Sequence, residues 1–104
     1  MYDSIDVKEI DQINITTGDN NSYHNTLLDI RDKYEYLLGH IPKSINIPYN
    51  YLMLMPENYL NFYTTYYIYC DCGSKSRKVC LFLNELGYKT IDLIGGYNEY
   101  IDDN

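Results

Sequence analysis

Short apolar runs alternate along this chain with stretches whose apolar residues recur at helical spacing. Four runs have the length and β-prone composition of buried strands, at positions 26–30, 44–47, 66–69 and 90–94. After the third run, Val79, Leu83 and Leu86 fall on one helical face. This spacing predicts a helix that begins at Ser76 and is ended by Gly87. Strands alternating with helices predict an α/β layered fold with a mainly parallel central sheet.

Capping signals predict two short helices in the first half of the chain. Asp6 and Glu9 have the spacing of a capping box, which predicts a helix over 7–12. Asp32 is a candidate N-cap for a second helix, and Gly39 is its expected C-terminal stop.

Proline and small polar residues define two further segments. The stretch 49–62 is predicted to be helical in two pieces, with Pro56 beginning the second. Residues 16–25 are rich in Gly, Asp, Asn and Ser, which predicts an exposed loop.

Length and composition are typical of one globular domain. With 104 residues, 45% hydrophobic and 22% charged, we expect residues 1–104 to fold as a single unit. Fifteen acidic against eight basic residues give a net charge of −7, which argues against binding to nucleic acid or to an anionic membrane. No apolar run approaches the roughly 18–20 residues of a membrane span, and the acidic N-terminus lacks the features of a signal peptide. We therefore expect a cytoplasmic protein.

Three cysteines, at positions 70, 72 and 80, are clustered in the second half of the chain. An odd, clustered number does not suggest a disulfide framework and leaves catalytic, metal-binding or buried thiols. Zinc binding fails on spacing, because the chain has no C-x-x-C or H-x-x-x-H pair. Cys80 shares an apolar helical face with Val79, which favours a buried core thiol. Cys72 is either a resolving thiol or the occupant of a variable loop position.

The segment from Cys70 to Arg77 carries the candidate chemistry. It places a thiol at the end of a strand and shortly before a helix, and ligands of parallel sheets bind beyond the carboxyl ends of strands. Gly73 allows the loop to curl, so that backbone amides and the positive end of the helix dipole surround the sulfur. Such surroundings favour the thiolate, which is the nucleophilic form of cysteine. Three of the eight basic residues, Lys75, Arg77 and Lys78, lie here and would attract a small anion.

Several of these features also have structural interpretations. The loop could be an ordinary strand–helix turn around a buried cysteine. His40 belongs to a Gly-His-Ile-Pro stretch typical of a turn, and His24 lies in a polar loop. Asp29 and Arg31 either line the pocket or form an ion pair that holds the loops.

Three groups of residues, taken in order, resemble the signatures of the rhodanese-like domain family. The first comprises Leu28-Asp29-Ile30-Arg31, Glu35, Gly39-His40-Ile41-Pro42 and Ile47-Pro48. The second is Cys70-x-x-Gly73-x-x-Ser76, which is similar to the active-site loop of the family. The third comprises Leu86-Gly87-Tyr88 and Leu93-Ile94-Gly95-Gly96-Tyr97. The resemblance covers about 26–100.

This resemblance implies a rhodanese-like three-layer fold, with a mainly parallel five-stranded central sheet flanked by helices, and sulfurtransferase activity. Cys70 would take a sulfane sulfur from thiosulfate or a persulfide, and would pass it to a thiol, cyanide or a protein acceptor. Loop amides would stabilise the persulfide anion, with no metal or organic cofactor. The resemblance assigns the active-site loop to Asp71, Cys72, Gly73, Ser74, Lys75, Ser76 and Arg77.

Two departures from the family pattern weaken the case for thiosulfate as the donor. Lys75 stands where Arg is frequent in thiosulfate-using members, and it lacks the planar fork that binds two oxygens together. Asp71 adds a negative charge beside the nucleophile.

Three other functions have distinct sequence requirements. The cell-cycle phosphatases that resemble rhodanese domains need a longer loop and an Arg six positions after the cysteine, where this chain has Ser76. Retention of Cys70 argues against a non-catalytic binding module. A redox thiol sensor that uses Cys70 and Cys72 is the remaining alternative.

Overall fold

The computed structural model describes residues 3–16 and 25–102 of the chain. Five strands form one sheet in the order β1-β5-β4-β2-β3, and every neighbouring pair is parallel. The strands are β1 (Asp3–Asp6), β2 (Asn25–Asp29), β3 (Ile45–Asn46), β4 (Thr65–Tyr69) and β5 (Lys89–Ile94). The parallel α/β architecture predicted from the sequence is confirmed. The predicted loop over 16–25, apart from its two ends, lies outside the described residues.

Helices cover both faces of this sheet. The α-helices are α1 (Lys33–Leu38), α2 (Tyr49–Leu54), α3 (Ser74–Glu85) and α4 (Gly96–Ile101), and 3₁₀ helices occupy Val7–Gln12 and Pro56–Asn58. Within residues 3–16 and 25–102, no helix is long and apolar enough to cross a membrane.

Neighbouring residues of the central strands pack into two cores, one on each face of the sheet. Leu28 and Ile68 belong to one buried cluster, whereas Leu27 and Tyr69 belong to the other. Successive side chains of a strand point to opposite faces, so a strand covered on both sides is apolar throughout. This explains why the strands appear in the sequence as continuous apolar runs.

The predicted caps form, with one difference in detail. Asp32 accepts a hydrogen bond from Glu35 N at 2.8 Å and begins α1, as predicted. Asp6 accepts from Lys8 N at 2.9 Å, and the helix that follows is a 3₁₀ helix.

The structure corrects the extent of three predicted elements. Helix α3 begins at Ser74 rather than Ser76, because Gly73 in the left-handed region (φ 109°) supplies its N-cap position. The second helical piece predicted within 49–62 is limited to Pro56–Asn58, and the strand predicted over 44–47 is limited to Ile45–Asn46.

Two elements had no separate prediction. Strand β1 is a four-residue edge strand in which only Ile5 is partly buried, so its apolar pattern is too short to detect. Helix α4 begins directly after β5, at a pair of glycines that carry no side-chain cap.

The register of the sheet brings two strand ends together at its carboxyl edge. Asp29, the last residue of β2, is paired with Tyr69, the last residue of β4. Ile30 N also donates to Tyr69 O at 3.1 Å. Ile30 and Cys70, the first residues after these strands, therefore lie side by side, and Arg31 follows next to Asp71.

Candidate active site

Cys70 follows the central strand β4 directly and is 4% exposed. Its Sγ accepts hydrogen bonds from Gly73 N at 3.1 Å and from Ser76 N at 3.4 Å. Both donors are backbone amides at the start of α3, so the positive end of this twelve-residue helix also faces the sulfur. The arrangement can stabilise negative charge on the sulfur without a neighbouring base.

Helix α4 holds the other end of this loop. Tyr97 N donates to Cys70 O at 2.8 Å, and Asn98 N donates to Asp71 O at 3.0 Å. Gly96 allows this approach: a Cβ atom there would lie 2.5 Å from Asp71 O and 2.6 Å from Cys70 O. The Gly-Gly pair after β5 is the sequence signal for this contact, although its partner is visible only in the fold.

Cys70 lines a small pocket of about 120 Å³ at the carboxyl edge of the sheet. The remaining lining residues are Ile30, Arg31, Asp32, Glu35, Pro48, Tyr49, Asn50, Asp71 and Lys75. A larger groove of about 720 Å³ adjoins it and shares Asp32, Pro48 and Asn50. Only a group of a few atoms fits beside Cys70 itself.

Three carboxylates lie around this pocket, from Asp32, Glu35 and Asp71. Burial, followed by repulsion from Asp71 and Asp32, raises the pKa of Glu35 above its ordinary value. The sequence predicts Asp32 as a helix cap and places Glu35 in the first family signature, but it indicates neither as a pocket residue. Their place just after β2, at the carboxyl edge of the sheet, is the signal that could have found them.

Asp29 and Arg31 form a buried ion pair under the pocket. Asp29 is 0% exposed, and Arg31 Nη2 donates to its Oδ2 at 2.7 Å while Arg31 Nε lies 3.1 Å from both carboxylate oxygens. Tyr69 Oη also donates to Asp29 Oδ2, at 2.6 Å. Burial, together with the hydrogen bond to Asp29, raises the pKa of Tyr69, so the phenol keeps its proton.

Arg31 lines the pocket, but the protein itself occupies much of its guanidinium. Nη2 also donates to Gly39 O at 2.6 Å, and Cζ lies 4.2 Å from the ring centroid of Tyr97. Nη1 lies 3.8 Å from Asp71 Oδ1. The pocket-lining interpretation and the ion-pair interpretation are therefore both correct in part. Arg31 lines the pocket, and Asp29 holds Arg31 in place through the buried ion pair.

The basic residues of the loop divide between two sides. Lys75 lines the Cys70 pocket, and its Nζ lies 5.3 Å from the ring centroid of Tyr49. Within the part of the chain that the structure describes, no ion pair joins Lys75 to a carboxylate. Arg77 instead lines a separate cavity of about 390 Å³. Lys78 lines neither cavity.

Cys72 also belongs to this second cavity, which it lines together with Gly73, Ser74 and Arg77. Its thiol is exposed, and Cys72 Sγ lies 3.8 Å from Ser74 Oγ. Cys72 does not line the pocket of Cys70.

The remaining candidates lie away from the pocket. Cys80 is fully buried, as predicted, and burial together with the charge of Asp92 raises the pKa of its thiol. His40 stacks on Tyr36 at a centroid distance of 3.8 Å, and its Nδ1 lies 2.8 Å from Tyr36 O. His24 lies outside the described residues. Residues 3–16 and 25–102 contain no group of three His, Cys, Asp or Glu side chains arranged to hold a metal ion.

A family model described as "Rhodanese-like domain" matches residues 14–103. The chain belongs to the rhodanese-like domain family. The crystal structure of a rhodanese-related protein from Thermoplasma volcanium has a TM-score of 0.76 and 30% sequence identity to this chain, covering 97% of it and 92% of the crystallised chain. The rhodanese fold implied by the three sequence signatures is therefore confirmed.

Two relatives carry sulfurtransferase names. The adenylyltransferase and sulfurtransferase uba4 of Ogataea parapolymorpha is 37% identical over 75 residues, which cover 71% of this chain and 19% of the relative. YtwF of Bacillus subtilis, provisionally named a sulfurtransferase, is 33% identical over 70 residues, which cover 67% of each chain. The rhodanese-like chain spans between 19% and 38% of the length of the three larger curated relatives that it matches.

Proposed function

We propose that the protein is a sulfurtransferase in which Cys70 carries sulfur as a persulfide. The observation that supports this most directly is the position of Cys70 Sγ, 3.1 Å from Gly73 N and 3.4 Å from Ser76 N. These amides would stabilise the attacking thiolate, and the positive end of the α3 dipole would favour the persulfide anion that the thiolate forms. The sulfurtransferase names of the Ogataea and Bacillus relatives agree with this function.

The proposed reaction consists of two displacements at sulfur. In the first, the Cys70 thiolate attacks the outer sulfur of a donor persulfide. A new S–S bond forms, the S–S bond of the donor breaks, and the donor leaves as a thiolate with the bonding electron pair. In the second, an acceptor thiolate attacks the outer sulfur on Cys70. The Cys70 thiolate is then the leaving group, so no external oxidant or reductant is consumed.

A donor of low charge fits this pocket better than the thiosulfate dianion. Asp32, Glu35 and Asp71 contribute three carboxylates to its walls, and Lys75 alone opposes them, because the charge of Arg31 is balanced by Asp29. A dianion would therefore meet net repulsion when it leaves water. We accordingly propose a persulfide as the preferred donor, with thiosulfate as a poorer one.

The proposed acceptor is a cellular thiol, cyanide or a thiol of a protein partner. Both displacements use only the Cys70 thiolate, the donor and the acceptor, so the proposal includes no cofactor. The net charge of −7 supports partners other than nucleic acid or an anionic membrane. A cytoplasmic setting, where free thiols are maintained, belongs to the same proposal.

Intact-mass measurement tests the function directly. The protein is incubated with a low-molecular-weight persulfide or with thiosulfate, and its mass is recorded before and after addition of a thiol acceptor. We expect one sulfur atom to be gained and then lost in the wild type and in Cys72→Ser, and no gain in Cys70→Ser. Sulfur uptake by Cys70→Ser would overturn the assignment of Cys70.

Intact-mass measurement also distinguishes the proposed sulfurtransferase from a redox sensor. A sensor would lose two hydrogen masses under mild oxidation through a Cys70–Cys72 disulfide, and Cys72→Ser would abolish that loss. Cys72 lines a cavity other than the Cys70 pocket, which supports sulfur transfer through a single cysteine. Equal persulfide lifetimes with and without Cys72 would match this proposal.

A further inference from the structure

Asp92 is a buried carboxylate on β5 that does not line the pocket of Cys70. It is 3% exposed, and burial raises its pKa above the ordinary value, although a hydrogen bond from Ser76 and the charge of Arg77 oppose this. Burying a carboxylate is costly unless polar partners compensate it. The partner that Asp92 holds is therefore informative.

That partner is Ser76, in the first turn of α3. Ser76 Oγ lies 2.6 Å from Asp92 Oδ1 and 3.2 Å from Gly73 O. A hydroxyl has a single proton, and the shorter contact has the length of a hydrogen bond to an ionised carboxylate. Gly73 O already accepts a hydrogen bond from Arg77 N at 3.1 Å. The hydroxyl of Ser76 therefore donates to Asp92.

Ser76 is also one of the two residues whose backbone amide donates to Cys70 Sγ. We infer that Asp92 is a positioning residue for the sulfur site. Asp92 holds Ser76 in a place where the backbone N–H of Ser76 stays directed at Cys70 Sγ. The sheet thereby fixes the first turn of α3 in the place where the donor is needed. The inference rests on the proposed function only where it concerns the rate of sulfur transfer. The effect of Asp92 on the Cys70 thiolate does not depend on any sulfur donor.

The chain supplies a matched control on the same strand and the same helix. Thr90 Oγ1 donates to Cys80 O at 3.3 Å, which is a second side-chain link from β5 to α3. This link lies one helical turn further from the sulfur. Loss of the Thr90 hydroxyl therefore removes a side-chain link between the same strand and the same helix without releasing Ser76.

The test measures the alkylation rate of Cys70 by iodoacetamide at neutral pH, resolved by peptide mass mapping, together with persulfide formation. Asp92→Leu replaces the carboxylate by an apolar group of similar size, and we expect both rates to fall about 10-fold or more, as when a preorganised donor is misplaced. Asp92→Asn keeps an acceptor oxygen and should restore most of the rate. Thr90→Val should stay within about twofold of the wild type, whatever its melting temperature.

A double variant identifies the route of the effect. If Asp92 acts through Ser76, Ser76→Ala should slow alkylation as much as Asp92→Leu does, and the two changes together should add nothing further. A folded Asp92→Leu protein that reacts at the wild-type rate would overturn the inference. If Asp92→Leu does not fold, a wild-type rate in Ser76→Ala overturns it equally. Absence of persulfide in the wild type would instead count against the proposed function alone.

Discussion

The three cysteines illustrate how the surroundings of a residue decide its chemistry. Cys70 and Cys80 belong to the same buried cluster, but only Cys70 lines a pocket and receives two backbone amide hydrogen bonds, and Cys72 is exposed to solvent. Burial disfavours a charged thiolate, whereas directed amides favour it. The same side chain therefore serves as a candidate nucleophile at one position and as core packing at another.

Selective alkylation should distinguish these thiols. In native protein at neutral pH, we expect iodoacetamide to modify Cys70 through its pocket and the exposed Cys72. Cys80 should stay unmodified, because it lines no such pocket and burial raises the pKa of its thiol. Peptide mass mapping gives the sites, with urea-unfolded protein as the control in which all three react. Rapid native labelling of Cys80 would contradict the core packing.

Charge variants at the pocket should change the preference for the donor. Asp71→Asn removes a carboxylate near Cys70, and Lys75→Arg supplies a planar fork for two oxygens. We expect each to raise kcat/KM for thiosulfate several-fold, about 1 kcal/mol, because both side chains are partly or fully exposed. The ratio to a persulfide donor is the readout. Equal gains of Asp71→Asn with both donors would refute charge repulsion as the cause.

At the scale of elements, two helices enclose the loop from opposite ends. The N-terminus of α3 donates to the sulfur, and the N-terminus of α4 donates to the carbonyls of Cys70 and Asp71. The amides of this segment thus point towards the sulfur of Cys70, whereas its first two carbonyl groups point towards α4. Gly73, whose backbone lies in the left-handed region, makes the turn between these two sets of contacts.

Gly96→Ala should therefore damage the site through α4. Its Cβ would collide with backbone oxygens, and Gly96 has φ 64°, so we expect a loss of at least about 2 kcal/mol in the free energy of unfolding and slower sulfur transfer. Gly87→Ala is the matched control: it has φ 103°, but its Cβ would only touch the Phe62 ring at 3.6 Å. It should lose about 1 kcal/mol and keep its activity. Urea unfolding and an activity assay measure both, and normal activity in Gly96→Ala would contradict the role of α4.

At the scale of the whole molecule, the parallel sheet gathers residues from distant parts of the chain at one edge. β2 supplies Asp29 and leads to Arg31, β4 leads to Cys70, and β5 carries Asp92. Each connection in a parallel sheet carries the chain back to the edge where the strands begin. All strands therefore end at the opposite, carboxyl edge. The raised pKa of the buried Asp92 carboxylate also gives stability a dependence on pH.

The pH dependence should be visible in Asp92→Asn. Because burial raises the pKa of Asp92 above 3.8, its protonated form favours the folded state at low pH, and this contribution is lost as pH rises through the folded-state value. We expect the wild type to lose stability relative to Asp92→Asn as the pH rises above the ordinary pKa of an aspartate and through the raised folded-state value. Urea unfolding at several pH values measures this difference. A constant difference would contradict the raised pKa.

The sequence alone was sufficient to predict the elements with strong periodicity or caps. The strands β2, β4 and β5, the Asp32 cap and the buried position of Cys80 follow from local patterns of residues. It also indicated the Cys70 loop, because a strand end, a glycine and a helix start lie within one short segment. These features depend on neighbours in the chain, and a linear pattern records such neighbours.

The contacts between distant segments were decided by the tertiary structure. The hydrogen bond from Ser76 to Asp92 spans 16 positions and that from Tyr69 to Asp29 spans 40. The division of Lys75 and Arg77 between two cavities depends on how α3 lies on the sheet. Periodicity identifies the buried face of an element but not the residue that meets it, because register and the approach of helices are set by the packing of the whole chain.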